Sequence, residues 1–205
     1  MEKELLLEEI EKRKNTKTKH KTKEEKKELY ERIYRAAREN DRKSDILIGI
    51  EECAELTQCI TKICRKRMNQ TDIAVYEEMS DVKMALNEIV SEIFKVKDDE
   101  KEKIIKEAKK SFICDKDSLE QNLLYDLQKI SMELVKTNLI LSLTEKDNPN
   151  VKAWLKDSVV LATANVMTGI EALRNKYEMD NEILEYIEDI KLDRFIQRQE
   201  NKEEL

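Results

Sequence analysis

The chain has 205 residues, enough for one or two domains with a real core. It holds only two glycines and one proline, where average usage would give roughly ten or more of each. Strands need turns built from Gly, Pro or Asn, so this scarcity speaks against a β fold and for an all-α one, helices joined by polar loops. Charged residues make up 41% of the chain yet nearly cancel, to a formal net charge of −6. That is the pattern of solvated helix faces, not of a nucleic-acid or membrane surface.

The first residues, "MEKELLLEEIEKRK", carry a three-leucine apolar run with acidic flanks and do not read as a signal peptide. No stretch approaches the ~18–20 apolar residues of a membrane span, and a soluble, cytoplasmic protein is expected. Residues 11–27, "EKRKNTKTKHKTKEEKK", hold nine Lys/Arg and few apolar side chains and read as a solvated extension. A nucleic-acid arm is the other reading, weakened because no aromatic interleaves the lysines. Beyond this leader the apolar positions predict helices over about 24–39, 43–68, 71–94, 98–112, 118–143, 150–177 and 181–200. The breaks "NDRKS", "MNQTD", "KVKDD", "CDKDS", "TEKDNPN" and "EMDN" each contain a capping or turn residue, with Asp72 the expected N-cap of the helix "IAVYEEM". Cys53, Cys59, Cys64 and Cys114 form no CxxC, which makes a zinc site or a disulfide framework a poor fit. They read as small buried hydrophobes in a reducing compartment.

The helices read as two copies of one unit. "SDILIGIEECAELTQCI" pairs with "LLYDLQKISMELVKTNL" at an offset of 78 residues, laying Ala54-Glu55-Leu56 on Met132-Glu133-Leu134. "SDVKMALNEIVSEIFKVKDD" pairs with "LATANVMTGIEALRNKYEMD" at an offset near 81, and a short helix follows in each half. The expected organisation is a charged extension and lead helix over 1–40, a first helical unit over 41–114, and a degenerate second repeat over 115–205.

Acidic residues stand where the pattern asks for core. Glu52 and Glu55, three apart, lie one above the other on a helix, and Glu51 and Glu55, four apart, share nearly the same face; Glu78 and Asp81 repeat the three-residue spacing on the next helix. A short connection makes those helices antiparallel neighbours, so the carboxylates can converge. Oxygen-only ligands suit Mg²⁺ or Mn²⁺, whereas a di-iron site wants Glu-x-x-His pairs and the one histidine, His20, lies in the leader. A solvated acidic face fits the same residues. Against it, Ile48, Ile50, Cys53, Ala54 and Leu56 crowd the first pair and Met79, Val82, Met84 and Ala85 the second, and acids in apolar surroundings are costly without a cation.

Glu51-Glu52-x-x-Glu55, then 22 residues, then Glu78-x-x-Asp81 resembles the signature of the MazG-like all-α nucleoside triphosphate pyrophosphohydrolases. The neighbours "IEECAELTQCITKICR" and "YEEMSDVKMAL" are similar to that family's acidic helices, and "EYIEDIKLDRFIQR" is similar to the Lys/Arg-rich helix that ends many members; the likeness is strongest over about 44–95. The resemblance implies Mg²⁺-dependent hydrolysis of a (deoxy)nucleoside triphosphate to the monophosphate and pyrophosphate, with Mn²⁺ as a substitute. A specific dUTP or dCTP pyrophosphatase is the nearest alternative, and a non-catalytic helical interaction protein that keeps the motif is the alternative from another class. Carried over residue by residue, Glu52, Glu55, Glu78 and Asp81 would hold the metal. Glu51 would orient or deprotonate the attacking water or support the ligands. Lys62, Arg65 and Lys66 are candidates for the phosphates, although basic residues also suit a helix C-terminus. Trp154 and Tyr125 are candidates to stack on the base, although a lone helical Trp also suits a core. The second half keeps Glu133 but has Lys129, Ile130, Val159 and Ala162 at the other positions, so one site is expected, walled by a second half that acts as a built-in partner. A monomeric pseudo-dimer or a homodimer follows from that expectation.

Overall fold

The computed structural model describes residues 3–37, 42–111, 116–143 and 149–203, and among them every regular element is helical. The elements are α1 (Lys3–Asn15), α2 (Lys23–Ala37), α3 (Arg42–Cys64), α4 (Ile73–Glu88) running on into a π-helical turn (Ile89–Ile93), α5 (Asp98–Ser111), a 3₁₀ turn (Lys116–Ser118), α6 (Leu119–Leu143), α7 (Pro149–Lys176) and α8 (Asn181–Glu203). The all-α reading holds, and the expected helices from α2 onward are present, while α1 is an addition: its Leu6 and Ile10 are buried, so the leader begins with a packed helix. No described helix is long and apolar enough to cross a membrane.

Local chemistry sets the helix starts. Asp72 takes an extended conformation and accepts from the Ala74 N–H at 3.2 Å, the expected N-cap. Thr22 and Glu25 form a reciprocal capping box ahead of α2, the Thr22 N–H donating to Glu25 at 2.7 Å and the Glu25 N–H to the Thr22 hydroxyl at 3.2 Å.

Helices α3, α4, α6 and α7 make a four-helix core of two hairpins, and α3 and α6 form its broadest seam. Leu56, Ile60, Leu86, Leu123, Leu127, Ile130 and Leu134 are fully buried there, each worth about 1.5–3 kcal/mol of transfer free energy. Gly49 lets the seam close, since a Cβ there would overlap Ile89 of the π turn and sit 3.4 Å from Leu134 Cδ1. The seam is antiparallel: Gly49 lies against Leu134, and Cys53 shares a hydrogen bond with Ser131.

The outer helices are seated crosswise. α5, at the end of the first half, packs on α7 of the second; α8, at the end of the second half, packs on α4 of the first. The α6–α7 hairpin is clasped at its far end by Glu120, which accepts from Lys176 Nζ at 2.8 and 2.9 Å and from the Tyr177 hydroxyl. Tyr76 near the start of α4 accepts from the Asp180 N–H at 3.1 Å, which ties the α7–α8 turn to the first half.

The basic leader is solvated along most of its length, with Lys12, Lys17, Lys19, Lys23 and Lys27 exposed, but three of its cations are tied down. Arg13 pairs with Asp193 at 2.9 Å, Lys21 with Asp193 at 2.8 Å and Lys26 with Glu188 at 2.9 Å, all across to α8. Those three side chains are counter-charges of an acidic helix far away in the chain. Cys53 and Cys59 are buried as expected, whereas Cys64, at the last turn of α3, is exposed; Cys114 lies outside the described residues.

With so few glycines, the left-handed residues among those described are Lys17, Lys66, Lys95 and Glu178, with φ of 49°, 54°, 54° and 48°. A side chain in that region costs roughly 1–2 kcal/mol. After α7 the Met179 N–H returns to the Arg174 carbonyl at 3.0 Å, a helix end that normally favours glycine at the position of Glu178. Glu178→Gly should therefore stabilise the protein by about 0.5–1 kcal/mol after the glycine's own entropy cost, a gain of about 1–4 °C in Tm for a chain of this size. Thermal melting followed by circular dichroism checks it; an unchanged or lower Tm would show that the glutamate side chain offsets its own strain.

Candidate metal centre

Glu52 and Glu55 come from the middle of α3, and Glu78 and Asp81 from the middle of α4. The α3–α4 hairpin turns the two pairs towards each other. Glu52, Glu55 and Glu78 each offer a carboxylate oxygen, and the three oxygens lie within 4.8 Å of one another. Among the described residues no other group of three potential ligand side chains meets in this way. Glu52 and Glu78 are half-buried and Glu55 is exposed, so the cluster is open on one side.

The electrostatics show what this convergence costs. Burial pushes Glu52 up to about 7, with the Asp81 and Glu55 charges adding to it. Burial pushes Glu78 up to about 8, with Glu55 and Asp81 again the neighbours that raise it. Glu78 Oε2 is buried without a hydrogen-bond partner. An acidic cluster with an orphaned oxygen and two carboxyls raised to about 7 and about 8 is short of positive charge. Three carboxylate oxygens within reach of one point fit a hard divalent ion such as Mg²⁺ or Mn²⁺.

Asp81 stands apart from the trio. Its Oδ2 is in contact with Lys191 Nζ of α8, which also lies 3.6 Å from Glu77 Oε1. Burial raises Asp81 even though Lys191 pulls it the other way. The four expected ligands are thus neighbours, three open to an ion and one already paired. Sequence reasoning singled out neither Lys191 nor Glu77. The signal was there: Lys191 continues the spacing of Leu184 and Ile187 and sits between the fully buried Ile190 and Leu192, and Glu77 is one turn before Asp81.

The remaining candidates are spread more widely. Glu51 is exposed beside Glu52. Lys62 is half-buried, its ammonium donating to Gln58 Oε1 at 2.8 Å. Burial pushes the Cys59 thiol up to about 11, with the Glu78 charge adding to it and Lys62 opposing it. Arg65 and Lys66 are exposed in the turn after α3. Trp154 and Tyr125 are 53% and 66% exposed, on α7 and α6, and no hydrogen bond or ring contact among the described residues ties either to the acids. His20 lies 3.3 Å from Asp189 and stacks at 4.2 Å on Tyr186, away from the acidic trio. In the second half Glu133 is buried and met by Lys136 at 2.8 Å, and Val159 and Ala162 are buried. There the carboxylate has a lysine of its own.

Compared with protein-family models, with curated proteins and with solved structures, the chain finds no match in any of the three.

A pH dependence follows from the raised carboxyls. Glu52 and Glu78 bind their protons more tightly in the folded chain than their ordinary value of 4.5. Their contribution to stability is therefore complete below about pH 4.5 and is lost as pH rises through about 7 to 8. Without metal, Glu78→Gln should raise Tm at pH 8 and flatten its fall between pH 5 and 8. Melting in a chelator across that range tests it, and identical profiles for variant and wild type would contradict the crowding of Glu78.

Proposed function

We propose that the protein is a divalent-metal-dependent pyrophosphohydrolase of nucleoside triphosphates, similar to the MazG-like enzymes, that cleaves a (d)NTP to the (d)NMP and pyrophosphate. The observation that carries this reading is the meeting of Glu52, Glu55 and Glu78 at a half-buried point, with two of the carboxyls held near or above neutrality for want of a cation. A sequence pattern of acids at helical spacing is common in so charged a chain; what adds to it here is that three of their oxygens lie within 4.8 Å of one another, two of them from half-buried residues.

A bound Mg²⁺ or Mn²⁺ would offset the triphosphate charge, activate a water molecule and stabilise the departing pyrophosphate. Glu52, Glu55 and Glu78 would hold it, with Asp81 as the fourth carboxylate. Glu51, exposed on the same helix, would orient the attacking water and take its proton. Lys62, with Arg65 and Lys66 beyond it, would meet the phosphate oxygens. Half-burial of the cluster lets the site work at a lower effective dielectric, where charge pairing counts for more. Discrimination among bases, including a dUTP- or dCTP-specific activity, would lie in the walls around this point.

A non-catalytic interaction protein is the second reading, favoured by the large exposed apolar side chains Leu47 and Ile48 on α3 and Met132, Val135 and Leu139 on α6. One assay separates the two. Pyrophosphate and orthophosphate release from a panel of NTPs and dNTPs, with and without Mg²⁺, should give metal-dependent pyrophosphate and a monophosphate. Glu55→Gln and Asp81→Asn should each lower kcat/KM by roughly 100-fold or more with helicity unchanged. Turnover of no nucleotide in the presence of metal, or wild-type turnover by either variant, would overturn the enzyme reading.

A further inference from the structure

Lys191 occupies a position that helical spacing assigns to the core, and its side chain is 12% exposed. Burying an ammonium is costly unless an anion meets it. Here it meets Asp81 directly and Glu77 at 3.6 Å. Its backbone is held on both sides. Before it, Glu188 accepts from Lys26 Nζ at 2.9 Å and from the Tyr30 hydroxyl at 2.7 Å. After it, Asp193 takes Arg13 at 2.9 Å, and Arg194 pairs with Glu9 at 2.8 Å. Although burial pushes Glu188 up, Lys83, Tyr30 and Lys26 together hold it down at about 2, so this anchor stays charged across the working pH range. The lysine is thus fixed beside the acids by charges on two other helices.

We propose that Lys191 is an internal counter-cation that competes with a divalent ion for Asp81. The inference rests on the metal-centre reading above. Glu52, Glu55 and Glu78 form the open part of the centre, and Asp81 joins it only by exchanging the ammonium for the ion. Glu77, already 3.6 Å from Nζ, is the carboxylate left to receive the lysine. The exchange weakens metal binding by the amount needed to break the Lys191–Asp81 pair and couples it to the position of α8. Without metal, the same pair spares the fold one uncompensated carboxylate.

The test is titration of the full-length chain with Mn²⁺ alone, free Mn²⁺ being read by electron paramagnetic resonance. Lys191→Met should bind Mn²⁺ roughly tenfold more tightly than wild type, equivalent to about 1.4 kcal/mol. Lys83→Met removes a nearby cation that pairs with Glu188 at 3.5 Å without contacting Asp81, and should stay within about twofold of wild type. Glu55→Gln should bind more weakly. Lys191→Gln carries the same expectation as Lys191→Met with a smaller gain, and replaces it if the methionine variant does not fold. Affinity unchanged or reduced in the Lys191 variants, with Glu55→Gln still weakened, would overturn the competition and leave the metal centre standing. An equal gain from Lys83→Met would overturn it too, by reducing the effect to general charge. Absence of Mn²⁺ binding in wild type and Lys191 variants alike would overturn both the inference and the reading beneath it.

Discussion

Carboxylates set into an apolar helical core impose one requirement on everything around them: positive charge must come from somewhere. Glu52, Glu55, Glu77, Glu78 and Asp81 lie on facing turns of α3 and α4, amid Cys53, Leu56, Met79 and Val82, all fully or nearly fully buried. Ionised acids in such surroundings repel one another and lose hydration. The fold meets part of the demand with Lys191 and leaves the rest as raised affinity for protons at Glu52 and Glu78. On α6, Lys136 meets one oxygen of the buried Glu133 at 2.8 Å while its Oε2 is left without a partner, and Val159 and Ala162 on α7 are buried apolar residues.

The N-terminal segment belongs to this electrostatic scheme. α8 carries Glu188, Asp189 and Asp193 around Lys191, and an acidic helix cannot be laid over an acidic hairpin without mediation. Arg13, Lys21 and Lys26 supply it, and Glu9 in turn holds Arg194. Exposed ion pairs contribute little singly. This set is partly buried, shares partners, and closes over Leu6 and Ile10, which supply the apolar contact. Its effect is to fix the register of α8 on α4, and so the height at which Lys191 meets Asp81.

Much of this was legible in the sequence. Scarcity of Gly and Pro gave the class, apolar spacing gave α2 to α8, and the paired acids at three-residue spacing pointed to the hairpin where three of them meet. What escaped has a common cause. The seating of α1, the pairing of the basic leader with α8, and Lys191 beside Asp81 all join residues more than a hundred positions apart, and periodicity within a window carries no information on such partners. Charge patterning suggested solvation for residues 11–27 because lysines in isolation are solvated; only the packing of α8 alongside shows their counter-charges. Cys64 escaped for a simpler reason. A cysteine in an apolar helix reads as core, and only the end of the bundle decides that this one faces water.

The crosswise seating of α5 on α7 and α8 on α4 makes each half an incomplete object. Separated at the junction before α6, the first piece would display the bare flank of α4 and carry α5 without its seat; the second would display the flank of α7 and carry α8 without its own. Each exposed surface is shaped and charged for the other piece alone. A chain organised in this way lends itself to division into two fragments that regain a whole only together, and the acidic centre, with its carboxylates on one fragment and its lysine on the other, would report their reunion.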